Sequence, residues 1–245
     1  LWTPERVARW RRQLAAEAAK PPEERLPVSK PSPVMVWTPT LAGEWLDMLV
    51  EWDERLYALY HLVLTRGLRR GEVCALEWSD SDLDGDGTIS VLEDEDAEAE
   101  DGIKSESSRR TVKLGKPNVA LLRAWRKVQA EERLAAGREW VDSGKVFTDR
   151  LGRSLDLYWL SDHTQHLVKK SGLPPIRLHD MRHCAATIML ASGMDMKDVS
   201  ATLGHRHYWF TADTYTVVLP ELAEAAAEAA IALIPRRRGT GHTPS

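Results

Sequence analysis

The sequence predicts an α+β fold, mostly helical with a small antiparallel sheet. Three observations carry this. Apolar residues recur at helical spacing along most of the chain. Two short β-rich runs, Thr88-Ile89-Ser90-Val91 and Arg110-Thr111-Val112-Lys113-Leu114, flank an acidic stretch. Pro39, Gly67 and Pro117 stand at the ends of helical runs, where those residues start or stop a helix.

Residues 1–20 are charged and helix-prone, with Arg6, Arg9, Arg11 and Arg12 spread around Trp2 and Trp10. Pro21-Pro22 and the run Leu26-Pro27-Val28-Ser29-Lys30-Pro31-Ser32-Pro33 then impose an extended linker. The main domain is expected to begin near Val36. Thr38 reads as a helix N-cap with Pro39 in the first turn, and Leu41, Trp45, Met48, Leu49 and Trp52 mark one apolar face. A second helix runs from Arg55 to about Arg66, and Gly67 is placed to end it. A short third helix begins near Gly71, with Val73, Ala75, Leu76 and Trp78 expected to pack inward. After the two strands, Pro117 opens a long helix to about Ala136. Lys145-Val146-Phe147-Thr148 reads as a third strand, turned by Asp149 to Gly152. Helices follow at roughly 156–171, 179–192, 196–203 and 220–233, before the basic tail Arg236-Arg237-Arg238. The expected division is a linker or remnant over 1–35, one domain over 36–235 and a flexible tail over 236–245. Because the first residue is Leu1, a preceding part is expected to be missing.

The 245 residues carry 33 Lys and Arg against 37 Asp and Glu, a formal net charge of −4. Taken whole, that balance argues against a nucleic-acid binder, which usually carries net positive charge. The deficit, however, is local. From Asp80 to Asp101 there are eleven acidic residues and no Lys or Arg, and the remainder holds 33 basic against 26 acidic residues. The body of the chain is therefore +7, suited to a phosphate backbone. A hydrophobic content of 43% supplies a sizeable core without disulfides, and Cys74 and Cys184 are expected to be buried free thiols of a reducing compartment. No apolar run approaches the ~18 residues of a membrane span, so no membrane partner is expected.

Four short segments concentrate the chemistry. They are Thr65-Arg66-Gly67-Leu68-Arg69-Arg70-Gly71-Glu72, then Lys104 to Val112, then Leu178-His179-Asp180-Met181-Arg182-His183. The last is Leu203-Gly204-His205 with Thr211-Ala212-Asp213-Thr214-Tyr215. Together they supply guanidiniums, an ammonium, imidazoles and a phenol. His179 and Arg182, three apart, share one helical face. Arginine clamps phosphate oxygens through paired donors, and fixed cations stabilise a five-coordinate phosphorus without calling for a metal. A tyrosine hydroxyl attacks phosphorus once a neighbouring base takes its proton, and a lysine can protonate the departing oxygen.

These segments, in this order, resemble the catalytic boxes of the tyrosine recombinases, also called phage integrases. The resemblance covers about Val36 to Ile234 and is similar in style to integrases of actinobacterial phages and mobile elements. It implies a site-specific recombinase that cuts and rejoins DNA through a covalent 3′-phosphotyrosyl intermediate, with no cofactor and no metal. Residue by residue, it makes Arg69 the first phosphate clamp, with Arg70 its near rival, and Glu72 the acid that supports the arginine. Lys104 becomes the acid for the 5′-hydroxyl leaving group. His179 handles protons, Arg182 is the second clamp, His205 bonds a phosphate oxygen and Tyr215 is the nucleophile. The implied partners are double-stranded DNA, other protomers in a DNA-bound synaptic tetramer, and accessory DNA-bending or directionality factors. The implied setting is cytoplasmic, nucleoid-associated in a bacterial host. The linker would follow an N-terminal DNA-binding domain.

Other readings stand beside this one. Tyr208 is a second phenol near the last box, whereas Tyr57, Tyr60 and Tyr158 sit at positions consistent with packing. Asp82 to Glu93 fits a calcium-loop pattern, D-x-D-x-D-G-x₅-E, and also the turn and first strand of a hairpin. A calcium-responsive interaction domain and a non-catalytic DNA-binding relic are thus the alternative functions. His179, His183, His205 and His207 could form a zinc site, but the His-x-x-Arg reading explains more. The acidic residues 93–101 read as a solvated loop, or as a DNA-mimicking autoinhibitory segment.

Overall fold

The computed structural model describes residues 3–21, 24–26, 28, 36–92 and 109–204. Helix α1 (Pro4–Ala18) is separate in sequence from the rest, and the Thr3 hydroxyl accepts a hydrogen bond from the Arg6 amide at its start. Helix α2 (Pro39–Glu51) begins as its sequence demands: the Thr38 hydroxyl accepts from the Leu41 amide at 3.3 Å, and Pro39 occupies the first turn. Helix α3 (Tyr57–Arg66) is the hub of the core. Ala58, Leu59, Tyr60, Leu62, Val63 and Leu64 are all buried, so the helix is apolar nearly all round, and α2 and the helices over 116–136 and 178–191 pack on it. Trp37, Trp45 and Tyr60 stack in a chain of tilted and edge-on contacts, with centroids 5.5 and 5.2 Å apart.

Helix α4 (Arg70–Ala75) leads into a three-stranded antiparallel sheet of β1 (Ser81–Asp82), β2 (Thr88–Leu92) and β3 (Arg109–Lys113), ordered β1-β2-β3. Ile89 pairs with Val112 and Val91 with Arg110, which puts Arg110 on the apolar face of the sheet. Helices α5 (Lys116–Ala136), α6 (Leu157–Ser171), α7 (Leu178–Ala191) and α8 (Met196–Leu203) complete the described part. The α+β expectation holds. No helix among the described residues is long and apolar enough to cross a membrane.

Three local expectations are corrected. Lys145 to Thr148 is not a strand; it makes only isolated bridges, Glu77 with Lys145 and Thr148 with Ser154. Val146 and Phe147 are both buried, against strand alternation. The Val146 carbonyl is taken by the Trp125 indole and the Gln129 amide, which leaves no ladder to build. In α4, Glu72 and Cys74 are buried while Ala75 is exposed, because the helix turns its charged first turn inward. Tyr158 is exposed and lies beside the Arg70 guanidinium, 5.7 Å from the ring centroid, rather than in the core. Cys74 and Cys184 are buried free thiols as expected, and burial pushes them up to about 11 and about 12.

Candidate active site

The site is assembled from helix ends. Helix α3 ends at Gly67 (φ +67°) and α8 at Gly204 (φ +69°), both left-handed. A helix end leaves carbonyls without intrahelical partners and carries partial negative charge. Arginines fill that role here. Arg182, on α7, donates to the Gly67 carbonyl at 2.6 Å and to the Leu203 carbonyl. Arg69 donates to the Gly204 carbonyl at 3.3 Å, and Arg110 to the Thr202 carbonyl at 3.1 Å. A side chain at either glycine would be strained by its φ. At Gly204 a Cβ would also stand 2.8 Å from the Arg110 guanidinium.

At the centre of the three arginines lies Glu72, whose side chain is 0% exposed. Oε1 accepts from Arg69 Nη1 at 2.7 Å and Arg110 Nη1 at 2.8 Å. Oε2 accepts from the Arg69 amide and from Arg110 Nη2, each at 2.7 Å, and stands 4.0 Å from Arg182 Nη1. Burial pushes this carboxyl up, but the Arg110 fork and the charge of Arg182 outweigh it and hold it below the usual carboxylate range. Three guanidiniums against one carboxylate leave the cluster formally at +2. Arg69 opens 25% of its side chain to solvent, whereas Arg182 opens 4% and Arg110 9%.

His179 lies one turn before Arg182 on α7, with its ring centroid 5.7 Å from that of His183. Partial shielding, then the charge of Arg182, holds its pKa below the ordinary imidazole value. The imidazole is therefore neutral near pH 7 and able to accept a proton. Arg70 points elsewhere, to the Ser161 hydroxyl at 2.9 Å.

The structure thus brings together Arg69, Glu72 and Arg182, with His179 on the same helix as Arg182. Lys104, His205 and Tyr215 lie outside the described residues, as do Tyr208, Glu93, the 93–101 segment and residues 220–233. Arg110 is the member that sequence reasoning missed. Its signal was present: it is in phase with Val112 and Leu114, so strand alternation places it facing inward. The described part of the calcium-loop pattern is a hairpin turn. The Asp82 carboxylate accepts the Gly85 and Asp86 amides at 2.8 and 2.9 Å, and Asp84 pairs with Arg123 at 2.7 Å. A separate open cleft of about 770 Å³ between α6 and the start of α7 touches Asp180 but none of the three clustered arginines.

The family model described as "Phage integrase family" matches residues 45–221. The chain belongs to the phage integrase family. The matched span takes in Arg69, Glu72, Arg110, His179 and Arg182, and also Lys104, His205 and Tyr215. A tyrosine recombinase XerC-like protein of Caldanaerobacter subterraneus subsp. tengcongensis is 31% identical over 189 residues, 71% of this chain and 48% of that protein. The ICEBs1 integrase of Bacillus subtilis is 27% identical over 222 residues, 84% of this chain and 56% of that one. The chain therefore spans about half the length of the curated relatives it matches. Among solved structures, the XerA recombinase aligns with a TM-score of 0.61 at 21% identity, over 96% of this chain and 85% of that one. XerH, solved on palindromic difH substrate after cleavage, aligns at 0.59 and 20% identity, over 80% of this chain and 53% of that one.

Proposed function

We propose that the chain is the catalytic domain of a site-specific DNA recombinase, which cuts and rejoins strands through a 3′-phosphotyrosyl intermediate. The observation that carries this is the +2 cluster of Arg69, Arg110 and Arg182 around buried Glu72, with neutral His179 one turn from Arg182. Family relatives of this fold have been solved on their DNA, which supports the choice of substrate.

In this reading Arg69 and Arg182 hold the non-bridging oxygens of the scissile phosphate, and their charge stabilises the extra negative charge of the five-coordinate transition state. The Tyr215 oxygen attacks phosphorus and passes its proton to His179. The bond from phosphorus to the 5′-oxygen breaks, and that oxygen takes a proton from Lys104. His205 donates to a phosphate oxygen. The ester keeps the energy of the broken bond, so a 5′-hydroxyl of a second strand reverses the step without a cofactor. The partners are double-stranded DNA, further protomers in a synaptic tetramer, and accessory bending or directionality factors. The setting is the bacterial cytoplasm, on the nucleoid.

The test incubates the chain with nicked duplex DNA carrying the junction sequence of its element, then denatures it. A protein–DNA adduct that withstands denaturation and is lost in Tyr215→Phe is expected. No adduct from the wild type, or an equal one from Tyr215→Phe, overturns the reading.

A further inference from the structure

We infer that Arg110 is a positioning residue for strand transfer: by filling half of the acceptor sites of Glu72 it keeps that carboxylate from a bidentate grip on Arg69 or Arg182, and it adds one positive charge to the cluster. This rests on the recombinase reading above and deepens it.

Arg110 is an unusual occupant of its position. It pairs across the sheet with Val91 and shares the inward face with Val112, where an apolar side chain is the default. Only 9% of its side chain is exposed, although it carries a full charge. All three nitrogens of its fork are engaged, two on Glu72 and one on the Thr202 carbonyl, which ties β3 to α4 and to the end of α8.

The consequence lies in how a carboxylate counts its partners. An ionised carboxylate offers about four acceptor sites. At Glu72 four donors fill them: the Arg69 amide and Nη1, and both terminal nitrogens of Arg110. Arg110 thus takes half of the acceptor capacity. Remove it, and the buried oxygens must find other donors. Arg69, already bonded to Oε1, and Arg182, 4.0 Å from Oε2, are the guanidiniums at hand. Bidentate capture of either by Glu72 would withdraw its donors from the phosphate, and the cluster would fall from +2 to +1. That loss bears on the transition state, which gains negative charge, more than on ground-state DNA binding. Arg110 is therefore not itself a catalytic residue; it sets what the catalytic arginines have available.

The experiment uses the full chain and nicked DNA, with adduct formation followed in a single turnover at saturating DNA and Kd measured by anisotropy. Arg110→Met should slow adduct formation about 10- to 100-fold while Kd changes less than about threefold. Arg110→Lys, which restores the charge but not the fork, should recover part of the rate. Melting is recorded for each variant, and Arg110→Gln replaces Arg110→Met if the latter lacks a folding transition. An unchanged rate in a folded Met or Gln variant, or a rate loss matched by the loss in Kd, overturns the inference. So does a rate in Arg110→Lys no better than in the neutral variant, or failure of both neutral variants to fold. A wild type with no Tyr215-dependent adduct overturns the recombinase reading and this inference with it, whereas a reactive wild type beside an equally fast variant overturns this inference alone.

Discussion

Helices α4 and α7 begin in the same way and end up doing different things. Each has an arginine as N-cap and an acid three residues on: Arg69 with Glu72, and Arg177 with Asp180. In each, the acid accepts the cap amide, at 2.7 and 3.1 Å, and pairs with the cap guanidinium. Both acids are buried. The difference lies in who else arrives. Glu72 also receives the Arg110 fork and stands 4.0 Å from Arg182, whereas the charged side chain paired with Asp180 is Arg177, itself 59% exposed. A local capping device thus becomes the centre of a cationic cluster only when distant segments deliver further arginines to it.

The sharpest way to break that comparison is Glu72→Gln. It keeps the shape but leaves buried guanidiniums without their counter-charge, a change that costs about 3–5 kcal/mol when one partner of a buried pair is removed. For a chain of this size the melting temperature should drop by about 10 °C or more, with loss of DNA adduct formation. A drop of less than about 3 °C would show that Glu72 is no more than a second helix cap.

The two helix starts also differ in how they respond to acid. The groups facing Glu72 are arginines, and its own carboxyl is held low. Helix α7 carries His183, pushed down to about 4 chiefly by burial, then by His179 and Arg182, with Asp180 opposing. A depressed histidine means the folded chain prefers the neutral ring. Its contribution is therefore complete above about pH 6.5 and is lost as pH falls from there toward 4, because the unfolded chain takes up the proton first. Discounted for partial exposure, the loss between pH 7 and 5 is about 1–2 kcal/mol. The wild type should lose about 3–6 °C more in melting temperature over that interval than His183→Gln. Equal losses would place the acid sensitivity elsewhere.

How much of this could be read in the sequence follows from the range of each interaction. Thr38 and Pro39, Gly67 and the long helix after Lys116 act through neighbours within four residues, and their elements formed where expected. Arg69, Glu72 and Arg182 were legible through their resemblance to ordered family boxes. Arg110 was legible only in part: its phase with Val112 and Leu114 turns it inward, but its partner Glu72 lies 38 residues away and only the fold brings the two together. Lys145 to Thr148 failed for the converse reason. Its β-rich composition is real, but the Trp125 and Gln129 side chains occupy the carbonyl a ladder would need. Local composition announces what a segment favours; long-range polar contacts decide what it becomes.

The smallest expected effect tests the other half of the comparison. Arg177 occupies the α7 position that Arg69 occupies in α4, but its guanidinium is mostly in water, so its attraction to Asp180 is screened and loses side-chain freedom in return. Asp180 raises the pKa of Arg177 through its hydrogen bonds and then its charge, yet a guanidinium is protonated at every accessible pH, so that shift changes no charge that folding depends on. In Arg177→Gln the Asp180 carboxylate still accepts the amide of residue 177 and still caps the helix. The melting temperature should therefore move by less than about 2 °C, and raising the salt should shrink even that. Adduct formation should stay within about twofold of the wild type, since Arg177 donates to neither Glu72 nor a carbonyl of the arginine cluster. A loss near that of Glu72→Gln would mean that the two helix starts are functionally equivalent, and that the convergence of Arg110 and Arg182 on Glu72 is not what makes the site.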